Sequence, residues 1–317
     1  MRVGVDMSDS KGKAGMLLCG HGSREDDARA EFERFVAATQ AALAAREPGA
    51  SVKGAYLEFA HPTIGEGLEL LAAAGAARVV AQPLMLFAAG HVKNDIPWEV
   101  NTFAASHKEV RVDCGRELSL DAKLLGAAAD RVREAETLSN KAYRRSDTLL
   151  LVIGRGTSDP DANGNIAKLA RMMWEGLGVA RAEIAFSGIA KPTIAEGLAH
   201  AARQGYPRVI VFPYFLFTGV LVKRIYRLTE EAAREHPDVE FLAAPYLADH
   251  PLVVETVVDR IQGIGNDGGA VADNCGLCKY RTQIIGYEGD SGAPQVGHHH
   301  HVRGVLADDS KSEDRDP

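Results

Sequence analysis

Ala60-His61-Pro62-Thr63-Ile64 and Ala190-Lys191-Pro192-Thr193-Ile194 are two versions of one phrase, carried from position 60 to position 190, a shift of 130 residues. The same shift lays Glu66-Gly67-Leu68 on Glu196-Gly197-Leu198, Pro83 on Pro213, Leu86-Phe87 on Leu216-Phe217 and Val92-Lys93 on Val222-Lys223. Upstream, Gly20-His21-Gly22-Ser23 answers Gly154-Arg155-Gly156-Thr157 at a shift of 134, one small indel away. Solenoid repeats run to roughly 20–50 residues, so a period this long marks a duplicated domain. The copies disagree where chemistry is concerned: His21, Glu58 and His91 face Arg155, Gly188 and Leu221. Scaffold is kept while donor groups are lost.

Outward from the repeat, short apolar runs alternate with amphipathic stretches. Gly15–Cys19 reads as a strand ending at Gly20, and Asp27–Arg46 as a helix with Phe32, Phe35, Val36 and Leu43 on one face. Val52–Leu57 is a second strand, Thr63–Ala74 a helix, and Arg78–Leu86 a third strand. A helix from about Lys93, a strand at Val110–Asp113 and a helix at Leu120–Glu136 complete the unit. The second half repeats the order: Thr148–Ile153, Ile166–Leu177, Glu183–Gly188, Thr193–Arg203, Arg208–Phe215, Val222–His236, Val239–Leu242 and Leu252–Ile261. Such alternation with continuous apolar strands predicts an α/β protein of two tandem homologous domains, each a small parallel β-sheet flanked by helices. The expected division is a disordered N-terminus at 1–13, a first domain at 14–136, a polar linker at 137–147, a second domain at 148–263, and a flexible Cys/His-rich tail at 264–317.

Composition narrows the function. Apolar residues make up 46% and charged residues 25% of 317 positions, as in ordinary globular proteins. The net charge of −7 comes with no Lys/Arg-rich stripe, which argues against nucleic-acid binding. No run approaches the ~18 apolar residues that a membrane span needs, and the N-terminus lacks an apolar signal core. A cytosolic protein without a membrane partner is expected. Cys19 and Cys114 sit in apolar strand contexts and read as small core residues.

In parallel α/β folds functional groups collect beyond the carboxyl ends of the strands. His21, Glu58 and His91 each lie at or just after such an end, so three separate segments converge on one edge. Two neutral imidazoles and a carboxylate suit a borderline divalent ion such as Co, Ni, Fe or Zn. His61, just before Pro62, is left outside that triad as a residue that starts a helix. The second copy offers Arg155, Lys191 and Lys223 at equivalent places. Facing one another, the two edges would present donor atoms on one wall and cations on the other, an arrangement suited to a metal acceptor carrying several carboxylates.

Gly20-His21-Gly22-Ser23, Leu57-Glu58-x-Ala60-x-Pro62 and Leu86-Phe87-x-x-Gly90-His91-x-x-x-Asp95-Ile96-Pro97 resemble the CbiX-type sirohydrochlorin chelatases, ATP-independent class II chelatases related to the ferrochelatases. The resemblance spans nearly the whole chain and is closest to the long, duplicated members of that family. It implies insertion of Co²⁺ into sirohydrochlorin, an early step of cobalamin synthesis, with His21 and His91 holding the metal and accepting pyrrole protons and Glu58 assisting. Ser23, Lys93, Arg155, Lys191 and Lys223 would then grip the substrate, and the protein would act as a monomer or homodimer. Two alternatives stay open: iron or nickel as the inserted metal, and a non-catalytic metal storage or delivery protein.

The tail adds to the resemblance. Cys275-x-x-Cys278-Lys279-Tyr280-Arg281, then Gly292-Ala293-Pro294-Gln295 and the run His298, His299, His300 and His301, are similar to the tail of long cobalt-inserting members. The run is followed by Val302-Arg303-Gly304, so it is not a terminal tag. Clusters normally take four thiolates, so an iron–sulfur cluster in the tail would need two chains. The alternative reading is that the histidines gather cobalt or nickel.

Overall fold

The computed structural model describes residues 13–263. Apart from Lys13, the expected disordered N-terminus lies outside the described residues, as does the 264–317 tail with Cys275, Cys278 and His298–His301. The first repeat runs β1 (Lys13–Gly20), α1 (Asp26–Arg46), β2 (Ser51–Tyr56), α2 (Ile64–Ala73), β3 (Ala76–Pro83), α3 (Ile96–Ser106), β4 (Arg111–Cys114) and α4 (Ala122–Thr137). A π-helical turn, His91–Asp95, leads into α3. The second repeat runs β5 (Thr148–Gly154), α5 (Pro160–Leu177), β6 (Arg181–Phe186), α6 (Ile194–Ala202), β7 (Arg208–Pro213), α7 (Val220–Glu235), β8 (Glu240–Ala243) and α8 (Pro251–Gly263).

Each repeat builds a four-stranded sheet, ordered β2-β1-β3-β4 and β6-β5-β7-β8, with every pairing parallel. The expected α/β class and the parallel duplicated sheets therefore hold. The cause is visible in burial: Leu17, Leu18 and Cys19 of β1 are wholly buried, as are all of Leu149–Ile153 in β5. A strand covered on both faces reads as a continuous apolar run, which a parallel sheet with helices on each side provides. Burial pushes the Cys19 thiol far up and the Cys114 thiol to about 12, so both are core residues rather than ligands.

The repeated phrase has a mechanical purpose. Thr63 caps α2 by accepting from the Glu66 backbone, while the Glu66 carboxylate accepts from the Thr63 backbone at 2.7 Å. Thr193 and Glu196 make the same reciprocal cap on α6. The Thr193 amide, the Thr193 hydroxyl and Lys191 together hold the Glu196 carboxyl down at about 2. The glycine next along lets helix and sheet touch. A Cβ at Gly67 would lie 2.7 Å from Leu17 Cδ1, and one at Gly197 would lie 2.6 Å from Ala185 Cβ. Leu68 and Leu198 then fill the two cores.

Several boundaries differ from expectation, among them the strands expected at Arg208–Phe215 and Glu183–Gly188, which run Arg208–Pro213 and Arg181–Phe186, and two have a clear physical cause. The third strand ends at Pro83 rather than Leu86, because proline closes the ladder; Leu84 to Leu86 are apolar but lie in the following loop. α5 begins at Pro160, not Ile166: Asp159 accepts from the Asp161 backbone and Pro160 occupies the first helical turn. The compact units also cut across the repeats. One unit takes the chain up to Ser119 and again from Val254; the other is Leu120–Val253. Helix α4 thus packs on α5, β7 and β8. Most of α8 belongs with the first sheet, where Arg260 donates to the Leu118 carbonyl at 2.8 Å and Arg46 to Asp259 at 2.7 Å.

Replacing Gly67 by leucine overfills the α2–sheet contact and is expected to lower stability by about 1–3 kcal/mol. Thermal unfolding of Gly67→Leu against the parent checks this; an unchanged midpoint contradicts the close-packing role.

Candidate functional site

In a 2-1-3-4 parallel sheet the chain reverses its direction of travel beside the first strand, and loops from neighbouring strands part there to leave a crevice. His21 follows the last residue of β1, Glu58 comes two residues after β2, and His91 opens the π turn that follows the β3 loop. The topology thus delivers the three expected residues to one edge.

The loop after β1 is tied to the loop after β2 through the main chain. Leu57 N–H donates to the Gly20 carbonyl and Glu58 N–H to the His21 carbonyl, each at 2.9 Å. This approach demands Gly22: its φ is +98°, and a Cβ there would fall 1.7 Å from the Glu58 oxygen. Glu58 and His21 are therefore placed by backbone contacts, and their side chains come within 3.9 Å, Nε2 to Oε2. Glu58 is largely covered, at 12% exposure, whereas His21 keeps 30%.

The rings of His21 and His91 meet edge-on, with centroids 4.8 Å apart and planes at 81°. His91 Nδ1 lies 2.7 Å from Oδ2 of Asp95, a fully buried carboxylate one turn along, which Asn94 also contacts at 2.8 Å through its side-chain amide. A carboxylate oxygen accepts, so His91 carries its proton on Nδ1 and its lone pair on Nε2. His21 Nδ1 lies 3.2 Å from the Gly22 carbonyl, which again can only accept. Both imidazoles thus carry the lone pair on Nε2, and that of His21 faces the Glu58 carboxylate. Among the described residues no group of three or more His, Cys, Asp or Glu has its side chains drawn together as a ready metal cage. The arrangement offers two imidazole nitrogens and a neighbouring carboxylate, suited to a loosely held ion with a proton acceptor beside it.

Asp95 and the pair Arg24–Phe59 lie against the two imidazoles but are not among the residues expected from the sequence. Asp95 had a usable signal, since four residues separate it from His91 on a helical turn. Phe59 had none: its φ of +61° is a left-handed conformation that costs a bulky residue about 1–2 kcal/mol. Its ring stacks on His21 at 6.2 Å, and the Arg24 guanidinium lies over it at 4.6 Å.

The other expected residues are more dispersed in character. Ser23 Oγ accepts from the Glu25 amide at 3.1 Å, and Lys93 is half-buried within the π turn. In the second unit the backbone ties recur, with Ser187 N–H to the Gly154 carbonyl at 2.9 Å and Gly188 N–H to the Arg155 carbonyl at 2.6 Å. Arg155, Lys191 and Lys223 are exposed there, and Lys191 Nζ pairs with Glu196 at 3.1 Å. His61 makes the matching contact with Glu66 at 2.9 Å, consistent with its place outside the site.

The CbiX family model matches residues 15–135 and again 149–264. A sirohydrochlorin cobaltochelatase of Priestia megaterium is 33% identical over 271 residues, covering 85% of this chain and 85% of that protein. A sirohydrochlorin ferrochelatase of the same organism is 32% identical over 196 residues, 62% of this chain and 71% of the relative. Among solved structures, SirB from Bacillus subtilis with Fe³⁺ superposes with a TM-score of 0.70 at 26% identity, over 82% of this chain and 100% of that one.

The fixed tautomer of His91 is directly testable. Nitrogen-resolved NMR of the metal-free protein should show His91 protonated on Nδ1, and Asp95→Asn should convert it to a mixture of tautomers. A parent spectrum with His91 protonated on Nε2 overturns this reading.

Proposed function

We propose, taking as premise that the chain belongs to the CbiX family, that it inserts Co²⁺ into sirohydrochlorin without ATP. The observation that carries the reading is the edge-on His21–His91 pair at the sheet's crevice, with the Glu58 carboxylate beside His21. Metal insertion exchanges two pyrrole N–H bonds for bonds to the ion, so two protons must leave as the ion arrives. His21 and His91 hold the ion through Nε2. As it passes to the pyrrole nitrogens, those lone pairs are released and accept a proton, while the Glu58 carboxylate takes the other. Two neutral imidazoles bind weakly enough to give the ion up. Asp95 remains a positioning residue that keeps the His91 lone pair directed outward.

Ser23, Lys93, Arg155, Lys191 and Lys223 are assigned to the carboxylates that rim the tetrapyrrole. Support comes from their donor chemistry and their solvent-accessible positions. Support for cobalt comes from the cobaltochelatase relative, 33% identical over 85% of this chain, beside which a sirohydrochlorin ferrochelatase of Bacillus subtilis is 28% identical over 79% of it. The comparable identity of the ferrochelatases makes Fe²⁺ insertion the second reading. Imidazole donors do not choose between these ions, whose affinities follow a general order. No described helix is long and apolar enough to cross a membrane.

Absorbance of sirohydrochlorin incubated with the protein and Co²⁺, Fe²⁺ or Ni²⁺, singly and in competition, tests the assignment. Fastest metalation with Co²⁺ is expected. Faster metalation with Fe²⁺ makes the protein a ferrochelatase, and no acceleration with any metal favours a storage or delivery role.

A further inference from the structure

Arg24 lies three residues beyond His21, in the loop between β1 and α1. It is exposed, and its interaction with the described residues is the cation–π contact with Phe59, 4.6 Å from guanidinium carbon to ring centroid. A guanidinium laid on an aromatic face keeps its fork of N–H donors directed away from the ring, ready for a planar carboxylate. The same Phe59 ring stacks on His21. Arg24 is therefore held at a set remove from the metal-bearing imidazole, with Phe59 as spacer.

Two features show that this placement is built rather than incidental. Phe59 sits at a φ of +61°, which aromatic side chains adopt only where the surroundings impose it. The second repeat serves as an internal control. The shifts that align the copies bring Arg24 onto Ser158 and Phe59 onto Ile189. Among the described residues the non-glycine positive φ values fall at Phe59, Ser119 and Ala248, so Ile189 has lost the strained conformation; it stands 76% exposed. Cation, ring and strain have thus disappeared from the copy that also lacks the equivalents of His21, Glu58 and His91, although the capping boxes and backbone ties persist.

We propose that Arg24, seated on Phe59 beside His21, anchors a peripheral carboxylate of the tetrapyrrole and so sets the macrocycle's position over the metal-binding imidazoles. This rests on the tetrapyrrole reading above. Arg24 is a positioning residue: it binds the rim of the substrate and takes no part in metal binding or proton transfer.

The test titrates metal-free sirohydrochlorin into the full-length protein, following its fluorescence, and pairs this with steady-state metalation. Arg24→Gln should raise both Kd and KM for sirohydrochlorin about tenfold, as for loss of a charge-assisted bidentate contact, with kcat within about twofold. Arg24→Lys should recover part of the loss, since it restores charge but not the fork. Phe59→Ala should weaken binding in the same direction by freeing the guanidinium. Co²⁺ binding and the thermal midpoint of Arg24→Gln should match the parent. If the parent metalates sirohydrochlorin and Arg24→Gln keeps its Kd and KM within twofold, the anchor is wrong and the chelatase reading stands. If the parent neither binds nor metalates sirohydrochlorin, the chelatase reading falls and the anchor with it.

Discussion

The hydrogen bond from the Glu58 amide to the His21 carbonyl is the constraint on which the site depends. It closes the loop after β1 onto the loop after β2, and it does so at a distance that tolerates only glycine at position 22. With that tie made, the carboxylate and the imidazole are set by main-chain geometry rather than by flexible side chains. The π turn then brings His91 edge-on to His21, and the buried Asp95 fixes its rotation and its proton. A site of this kind is preorganised in orientation without being a closed metal cage, which suits the proposed transfer of an ion to the macrocycle.

The duplication separates what the fold needs from what the chemistry needs. Both repeats keep the Thr–Glu capping box, the glycine that lets helix meet sheet, and the paired backbone ties at the sheet edge. Only the first keeps His21, Glu58 and His91, together with Arg24 and the strained Phe59. At the second edge the same backbone carries Arg155, Gly188 and Leu221. The closing helices are exchanged in the compact units, so α4 supports the second sheet and α8 the first.

Much of this was legible in the sequence, for physical reasons. Continuous apolar runs such as Leu149–Ile153 announce strands covered on both faces, and the rule that sites form beyond strand ends places His21, Glu58 and His91 together. Other features were not legible. The apolar Leu84–Leu86 extends the hydrophobic pattern past Pro83, which ends the ladder, so periodicity alone overruns the strand. The start of α5 was hidden because Asp159-Pro160 is polar and turn-like, although that chemistry also opens helices. Asp95 became a partner of His91 only once the turn was known to be helical. The conformation of Phe59 leaves no mark on composition or spacing.

The central claim is that His21 and His91 together carry the metal to the macrocycle. Single-turnover metalation of sirohydrochlorin by Co²⁺ with the His21→Ala and His91→Ala full-length proteins tests it most directly. Each variant is expected to be slower than the parent by about 100-fold or more, the scale on which positioned acid–base groups contribute. Metalation by either variant at the parent rate would contradict the assignment.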